Sequence, residues 1–327
     1  MTSTNQQPPL ITVLGSLNMD LVSYVPHHPL PGETLTSTRF AVSPGGKGAN
    51  QAVACAKLSR SSSSGSGSDA TARVRMLGAV GDDTYGAQLR ENLSRHGVDV
   101  SGVATPAGLK TGVAVIIVDE PTGQNRIVLS PEANHSLLAS QFGSPEALGF
   151  PPLPDLLIMQ LEIPLAAVLA ALRLARASRV PVLLNPAPAQ ALPDSAYEGL
   201  AHLVVNETEA AILGGVAEAD LDTEAGLEGV CRTFLGRGVR NVVVTLGGRG
   251  VYYMGAADGR TKGLVPAEKA TVVDTTAAGD TFVGRYALEV VSGGFEIADA
   301  VRKANRAAAK TVERLGAQDS IPWRDEL

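Results

Sequence analysis

Two carboxylates bracket a run of small residues late in the chain, Asp274-Thr275-Thr276-Ala277-Ala278-Gly279-Asp280. Thr281-Phe282-Val283-Gly284-Arg285-Tyr286-Ala287-Leu288 follows with apolar residues at helical spacing, which predicts a helix starting near Asp280. A helix start presents unpaired N–H groups and the positive end of the dipole, and both favour an anion. A carboxylate there repels that anion. The pairing makes sense when the anion undergoes attack and the carboxylate takes the attacker's proton. An N-capping aspartate after a glycine turn gives the same local pattern.

Other polar residues stand at comparable places. Residues 10–15 read as a buried first strand, and Asn18 and Asp20 follow at period two, on one face of an extended segment. Gly45-Gly46-Lys47-Gly48 lacks the Ser/Thr and the spacing of a phosphate-binding P-loop. It suits a tight turn before a helix, or a place where backbone approaches a ligand with Asn50 facing the same way. Glu162 lies at a strand exit, where a solvated acid is the plainer reading. Asn206 and Glu209 fit a capping box, or they put Glu209 near a hydrated Mg²⁺, which needs only one or two carboxylates. Thr245-Leu246-Gly247-Gly248-Arg249-Gly250 is a strand and a glycine-rich turn, for phosphate contact or an ordinary hairpin. His27, His28, His96, His135 and His202 have neither triad nor metal spacing.

Strands and helices must hold these residues. Short apolar strands are expected at 74–80, 156–159, 182–184, 203–205 and 242–246, with helices such as 164–177 and 209–213 between them. That alternation implies a parallel sheet covered on both faces, with ligands beyond the carboxyl ends of its strands. Residues 34–42 read as an exposed strand, and 111–119 with 125–129 as a hairpin. Residues 1–9 read as a disordered tail, and 59–73, rich in Ser and Gly, as a flexible surface loop.

Bulk properties narrow the function. The 327 residues suffice for one large α/β domain with an appendage, or for two domains. A net charge of −6 and 4% aromatic residues disfavour a nucleic-acid partner. No run approaches ~18 apolar residues, and the N-terminus lacks the layout of a signal peptide. Cys55 and Cys231 are far apart and suit a reducing cytosol. Arg324-Asp325-Glu326-Leu327 is close to an ER-retention tail, but without a route into the ER it is coincidental. A cytoplasmic location is expected, with the nucleus also open to the chain.

In order along the chain, Asn18-Met19-Asp20, Gly45 to Ala52, Gln160-Leu161-Glu162, Asn185-Pro186-Ala187-Pro188-Ala189, Asn206-Glu207-Thr208-Glu209, Thr245-Leu246-Gly247, Asp274 to Asp280 and Gly316-Ala317-Gln318 resemble the ribokinase (pfkB-type carbohydrate and purine kinase) family. The resemblance spans roughly 10–323. It implies a three-layer α/β/α sandwich with a mainly parallel central sheet and a small β-sheet lid, from about 18–43 and 111–129. It further implies ATP-dependent phosphorylation of D-ribose at O5, with Asp280 as general base and the amides of Ala277, Ala278 and Gly279 as anion hole. Asn18, Asp20, Gly46, Asn50 and Glu162 would bind the sugar, with Lys47 nearby. Asn206 and Glu209 would serve the Mg²⁺–phosphate region, Thr245, Gly247, Gly250 and Gly279 the nucleotide phosphates, and Asn305 the adenine side. An activating K⁺ would fall on Asp274, Thr276, Thr311, Arg314, Gly316 and Ser320, mostly through carbonyls. The lid is often shared across a homodimer. Two stretches, 59–73 and 256–262, look longer than the family's compact pattern. No aromatic follows Asn18, so a purine nucleoside suits the sugar site poorly.

Overall fold

Runs of Val, Leu and Ile bounded by turn residues form the strands of a computed structural model that describes residues 7–64, 69–256 and 261–327. Parts of the expected tail, of the Ser/Gly loop and of 256–262 lie outside the described residues. The larger sheet has nine strands: β1 (Leu10–Leu14), β4 (Arg73–Ala79), β5 (Val98–Ala104), β8 (Leu156–Met159), β9 (Val182–Leu184), β10 (His202–Asn206), β11 (Asn241–Thr245), β12 (Val251–Gly255) and β13 (Lys262–Val265). Their spatial order is β13-β12-β11-β10-β9-β8-β1-β4-β5. From β5 to β11 every pairing is parallel, while β12 and β13 add an antiparallel edge.

Two cores sandwich this sheet, as side-chain alternation requires. Ile158 of β8 packs into one core and Leu157 and Met159 into the other. The first core is closed by α1 (Lys47–Ser59), α2 (Thr84–Arg95), α6 (Ala278–Val291) and α7 (Ile297–Thr311). The second is closed by α3 (Leu165–Ala177), α4 (Glu207–Gly214) and α5 (Glu224–Gly236). The expected three-layer α/β/α architecture is the one observed.

A second, four-stranded sheet has the order β3-β2-β6-β7, from β2 (Asn18–Val25), β3 (Arg39–Gly45), β6 (Gly112–Asp119) and β7 (Asn125–Ser130). The β6–β7 hairpin matches its expectation. β3 does not: it starts later than the expected 34–42 and runs through Ser43-Pro44-Gly45. Pairing with β2 decides its place, with Asn18 opposite Gly45 and Asp20 opposite Ser43. Pro44 is tolerated because β3 is an edge strand and needs no outward N–H.

Helices α1 and α6 cross at unusually short range. A Cβ on Gly284 would stand 2.5 Å from the Ala54 Cβ and 2.9 Å from the Cys55 nitrogen. That explains the alanine-rich sequence of α1, whose small side chains let two helices approach. Gly284→Val is expected to lower the urea midpoint by the equivalent of about 1–3 kcal/mol, the usual effect of overpacking. An unchanged midpoint would show that the two helices do not meet there.

Candidate active site

The chain enters α6 through a strained turn. Ala277 has φ 61° and ψ 7°, a left-handed conformation that costs a non-glycine residue about 1–2 kcal/mol. The Ala278 N–H closes the turn on Thr275 O at 3.3 Å, and the Thr281 N–H bonds Ala277 O at 2.8 Å. Gly279 is exposed, and a Cβ there would meet nothing within 4 Å.

Asp280 is buried in the first turn of α6, and both of its oxygens are held. The Asn50 Nδ2 donates to Oδ2 at 3.0 Å and the Gln51 Nε2 to Oδ1 at 2.9 Å. Gln51 is itself fixed: its Nε2 also donates to Asn185 Oδ1 at 3.0 Å, and Gln160 Nε2 donates to its Oε1 at 2.5 Å. Gly15 is required under Gln160, since a Cβ there would fall 2.0 Å from the Gln160 Oε1.

Beside Asp280 the β1–β2 and β3–α1 junctions interleave. Gly46 has φ 89°, and a Cβ on it would stand 2.7 Å from the Asn18 nitrogen. Glu162, just past β8, accepts from Ser16 Oγ at 2.6 Å and from the Lys47 backbone N–H at 3.1 Å. Asn134 locks the start of β2 by exchanging hydrogen bonds with the Leu17 backbone and donating to Asn18 Oδ1 at 2.8 Å.

Charges crowd this space. Asp20 rises from 3.8 to about 7, first because it is buried and then because Glu162 and Asp280 repel its charge. Burial pulls the Lys47 ammonium down, but Asp280, Glu162 and Glu209 outweigh it and the net shift is upward. Burial raises Glu209, against the Asn206 N–H and Lys47, with Asp280 adding to the rise.

Lys47, Asn206, Glu209, Thr245, Gly279 and Asp280 line one cavity of about 240 Å³. The capping box is real: Asn206 Oδ1 accepts from the Glu209 N–H at 2.8 Å, and Glu209 Oε2 from the Asn206 N–H at 2.9 Å. Glu209 nonetheless faces the cavity, so the capping and ligand readings coexist. Gly247, Gly250 and Asn305 are not in its lining. Gly250 serves the sheet, since a Cβ there would fall 2.0 Å from Val265 O. Asn305 Nδ2 donates to Pro266 O at 2.8 Å. A cavity of about 290 Å³ near Leu10, Arg60 and Arg73 holds none of the expected site residues.

The expected cation residues meet in part. Asp274 Oδ1 accepts from the Thr276 N–H at 2.9 Å and hydroxyl at 2.6 Å, and Oδ2 from the Gly316 N–H at 2.9 Å. Ser320 Oγ donates to Ala317 O at 2.7 Å. Thr311 turns its hydroxyl toward Thr281 Oγ1 at 2.9 Å, and Arg314 carries its guanidinium away to Glu326. Among the described residues no three or more His, Cys, Asp or Glu side chains are grouped to hold a metal ion.

Asn185 stands just past a strand, at the edge where ligands are expected, but Gln51, Gln160, Ser16 and Asn134 are not singled out by the sequence pattern. The available signal was an amide pair, Asn50-Gln51, inside an otherwise apolar helix. His202 is buried behind α6 with Nδ1 2.9 Å from the Tyr286 hydroxyl, and burial lowers it to about 3.

A held carboxylate at a helix start, next to a polar cleft, can take a proton while an adjacent anion is attacked. Those parts define a phosphotransferase acting on a small hydroxylated molecule. The chain belongs to the pfkB family of carbohydrate kinases, whose family model matches residues 8–324. It is 43% identical over 315 residues to the ribokinase of Schizosaccharomyces pombe, covering 95% of this chain and 94% of that one. The crystal structure of a ribokinase from Thermotoga maritima superposes with TM-score 0.80 at 36% identity, covering 97% of both chains. Arabidopsis thaliana ribokinase, complexed with ribose and ATP, gives TM-score 0.83 at 27% identity, covering 98% of this chain and 97% of that one.

The raised Asp20 carboxyl predicts a pH signature. Between pH 3.8 and about 7 the folded protein keeps a proton that the unfolded chain has lost, so this group makes stability fall as pH rises through that window. Asp20→Asn should therefore gain stability relative to the parent as pH rises from 4 to 7, then hold level. Urea titrations giving a pH-independent difference would contradict the assignment.

Proposed function

We infer that the chain transfers the γ-phosphoryl group of ATP to O5 of D-ribose, giving D-ribose 5-phosphate and ADP. The observation that carries this is Asp280, held on both oxygens at the start of α6 by two amides from the helix that follows the sugar-side glycine turn. Ribose hydroxyls dock against Asn18, Asp20, Asn50, Glu162 and the Gly46 backbone, which leaves O5 at Asp280. The carboxylate takes the O5 proton as O5 attacks the γ-phosphorus. The bond to the β–γ bridging oxygen breaks, and ADP leaves with the electron pair. Charge building on the transferred group meets the helix dipole and the amides of Ala277 and Gly279. The Ala278 amide gives less, because Thr275 O already occupies it. Lys47 offsets the negative charge that gathers in the cleft.

Mg²⁺ enters with ATP as part of the substrate. Glu209 with Asn206 serves its phosphate side, one carboxylate being enough for an ion that keeps waters and phosphate oxygens. Thr245, in the cavity lining, would contact the phosphates, with Gly247 and Gly250 beyond it and Asn305 serving the adenine. K⁺ would be held by Asp274, Thr276, Thr311, Arg314, Gly316 and Ser320, largely through carbonyls. It would supply fixed positive charge beside the loop that leads into the anion hole. The small sheet acts as a lid over the sugar. Its exposed Phe40, Val42, Val115 and Val128 support a homodimer through that sheet, which sedimentation of a monomer would refute. Two free thiols, Cys55 and Cys231, go with a cytoplasmic setting.

Asp280→Asn should lower kcat by ~10²–10⁴-fold, the usual weight of a general base, with folding and ATP binding kept. Near-normal turnover would sink the mechanism. At fixed ATP, D-ribose should outpace deoxyribose, fructose and adenosine. Replacing K⁺ by Na⁺ should slow the ribose reaction, and equal rates would count against the cation site.

A further inference from the structure

Gln318 and Asn92 lie outside the mechanism above, yet both are buried and linked to it. The Asn92 Nδ2 donates to Gln318 Oε1 at 2.6 Å, and Gln318 Nε2 donates to Asn50 Oδ1 at 3.0 Å. Asn50 Nδ2 then donates to Asp280 Oδ2 at 3.0 Å. A primary amide accepts at one end and donates at the other. Along this series the Gln318 and Asn50 oxygens are each taken from behind, and all three NH₂ groups are presented forward, toward the carboxylate. Were the Asn50 amide turned over, its oxygen would face Asp280 and two acceptors would meet. The bond from Gln318 fixes which way it turns.

Gln318 belongs to a braced loop. The Gly316 N–H bonds Asp274 Oδ2 at 2.9 Å, Ser320 Oγ bonds Ala317 O at 2.7 Å, and Lys57 Nζ donates to Gln318 O at 3.2 Å. The segment carrying Gly316 and Ser320 is thus wired through one side chain to the sugar-side amide and the base.

We propose that Gln318 is a positioning residue for phosphoryl transfer, setting the orientation of the Asn50 amide and through it the Asp280 carboxylate. The proposal rests on Asp280 being the base. Its ligand-side consequence is specific: the loop that ties down Asp274 also steers the group that reads the sugar.

The test is a double-mutant cycle on kcat and on both KM values. Gln318→Met keeps length and loses the donor. It should lower kcat about tenfold, in line with one lost buried hydrogen bond, and raise the ribose KM while leaving the ATP KM unchanged. In an Asn50→Ala background the same change should alter kcat less than about twofold, because the group it acts through is gone. Equal loss in both backgrounds, or no loss in the parent, overturns the proposal. Gln318→Leu removes the donor without adding charge and carries the same cycle if Gln318→Met does not fold. The base assignment fails separately, through an active Asp280→Asn.

Discussion

One carboxylate, buried at the N-terminus of a helix and gripped by two amides of another, sets the terms for the rest of the molecule. Leaving such a charge unpaired in the interior would cost several kcal/mol. Asp280 avoids that through Asn50 and Gln51, the dipole of α6 and the Lys47 charge. Each of those partners makes a demand on the fold. Asn50 and Gln51 reach Asp280 only if α1 lies hard against α6, hence the Gly284–Ala54 contact. Lys47 reaches the cleft only if β3 hands the chain to α1 through the left-handed Gly46. The parallel sheet brings the ends of β1, β8, β9 and β10 to one edge, where Ser16, Glu162, Asn185 and Asn206 are delivered together.

The electrostatics match a neutral, hydroxyl-rich acceptor. Burial, and after it the negative charges of Glu162 and Asp280, push Asp20 up to about 7. A second anion would make that worse. A polyol brings O–H donors and no charge, so it can satisfy these acceptors without adding to the repulsion. Toward α4 the setting is different in kind: Glu209 and the helix starts of α4 and α6 border the same cavity as Lys47 and Asp280, so a carboxylate and amide dipoles stand side by side there.

Much of this was legible in the sequence because it is local. Period two puts Asn18 and Asp20 on one face, apolar runs mark the parallel strands, and the run of small residues before Asp280 marks a helix start, which favours an anion. The register of β3 was not legible, since pairing with β2 rather than its own turn residues sets where it begins. Nor were the amide clamps: Gln51 and Asp280 lie 229 residues apart, and only the α1–α6 crossing brings them together. Asn206 and Glu209 illustrate a third case. In sequence the capping box and the cavity-facing carboxylate look like alternatives, yet one side chain does both, with Oε2 capping the helix while the carboxyl borders the cavity.

The most direct test of the account is a crystal structure with D-ribose and a non-hydrolysable ATP analogue bound. An Asp280 carboxylate oxygen should lie about 2.6–3.2 Å from O5, with O5 in line with the γ-phosphorus and the Asn50 and Gln51 bonds intact. A sugar bound with another hydroxyl at Asp280, or with O5 out of reach of any carboxylate, would contradict it.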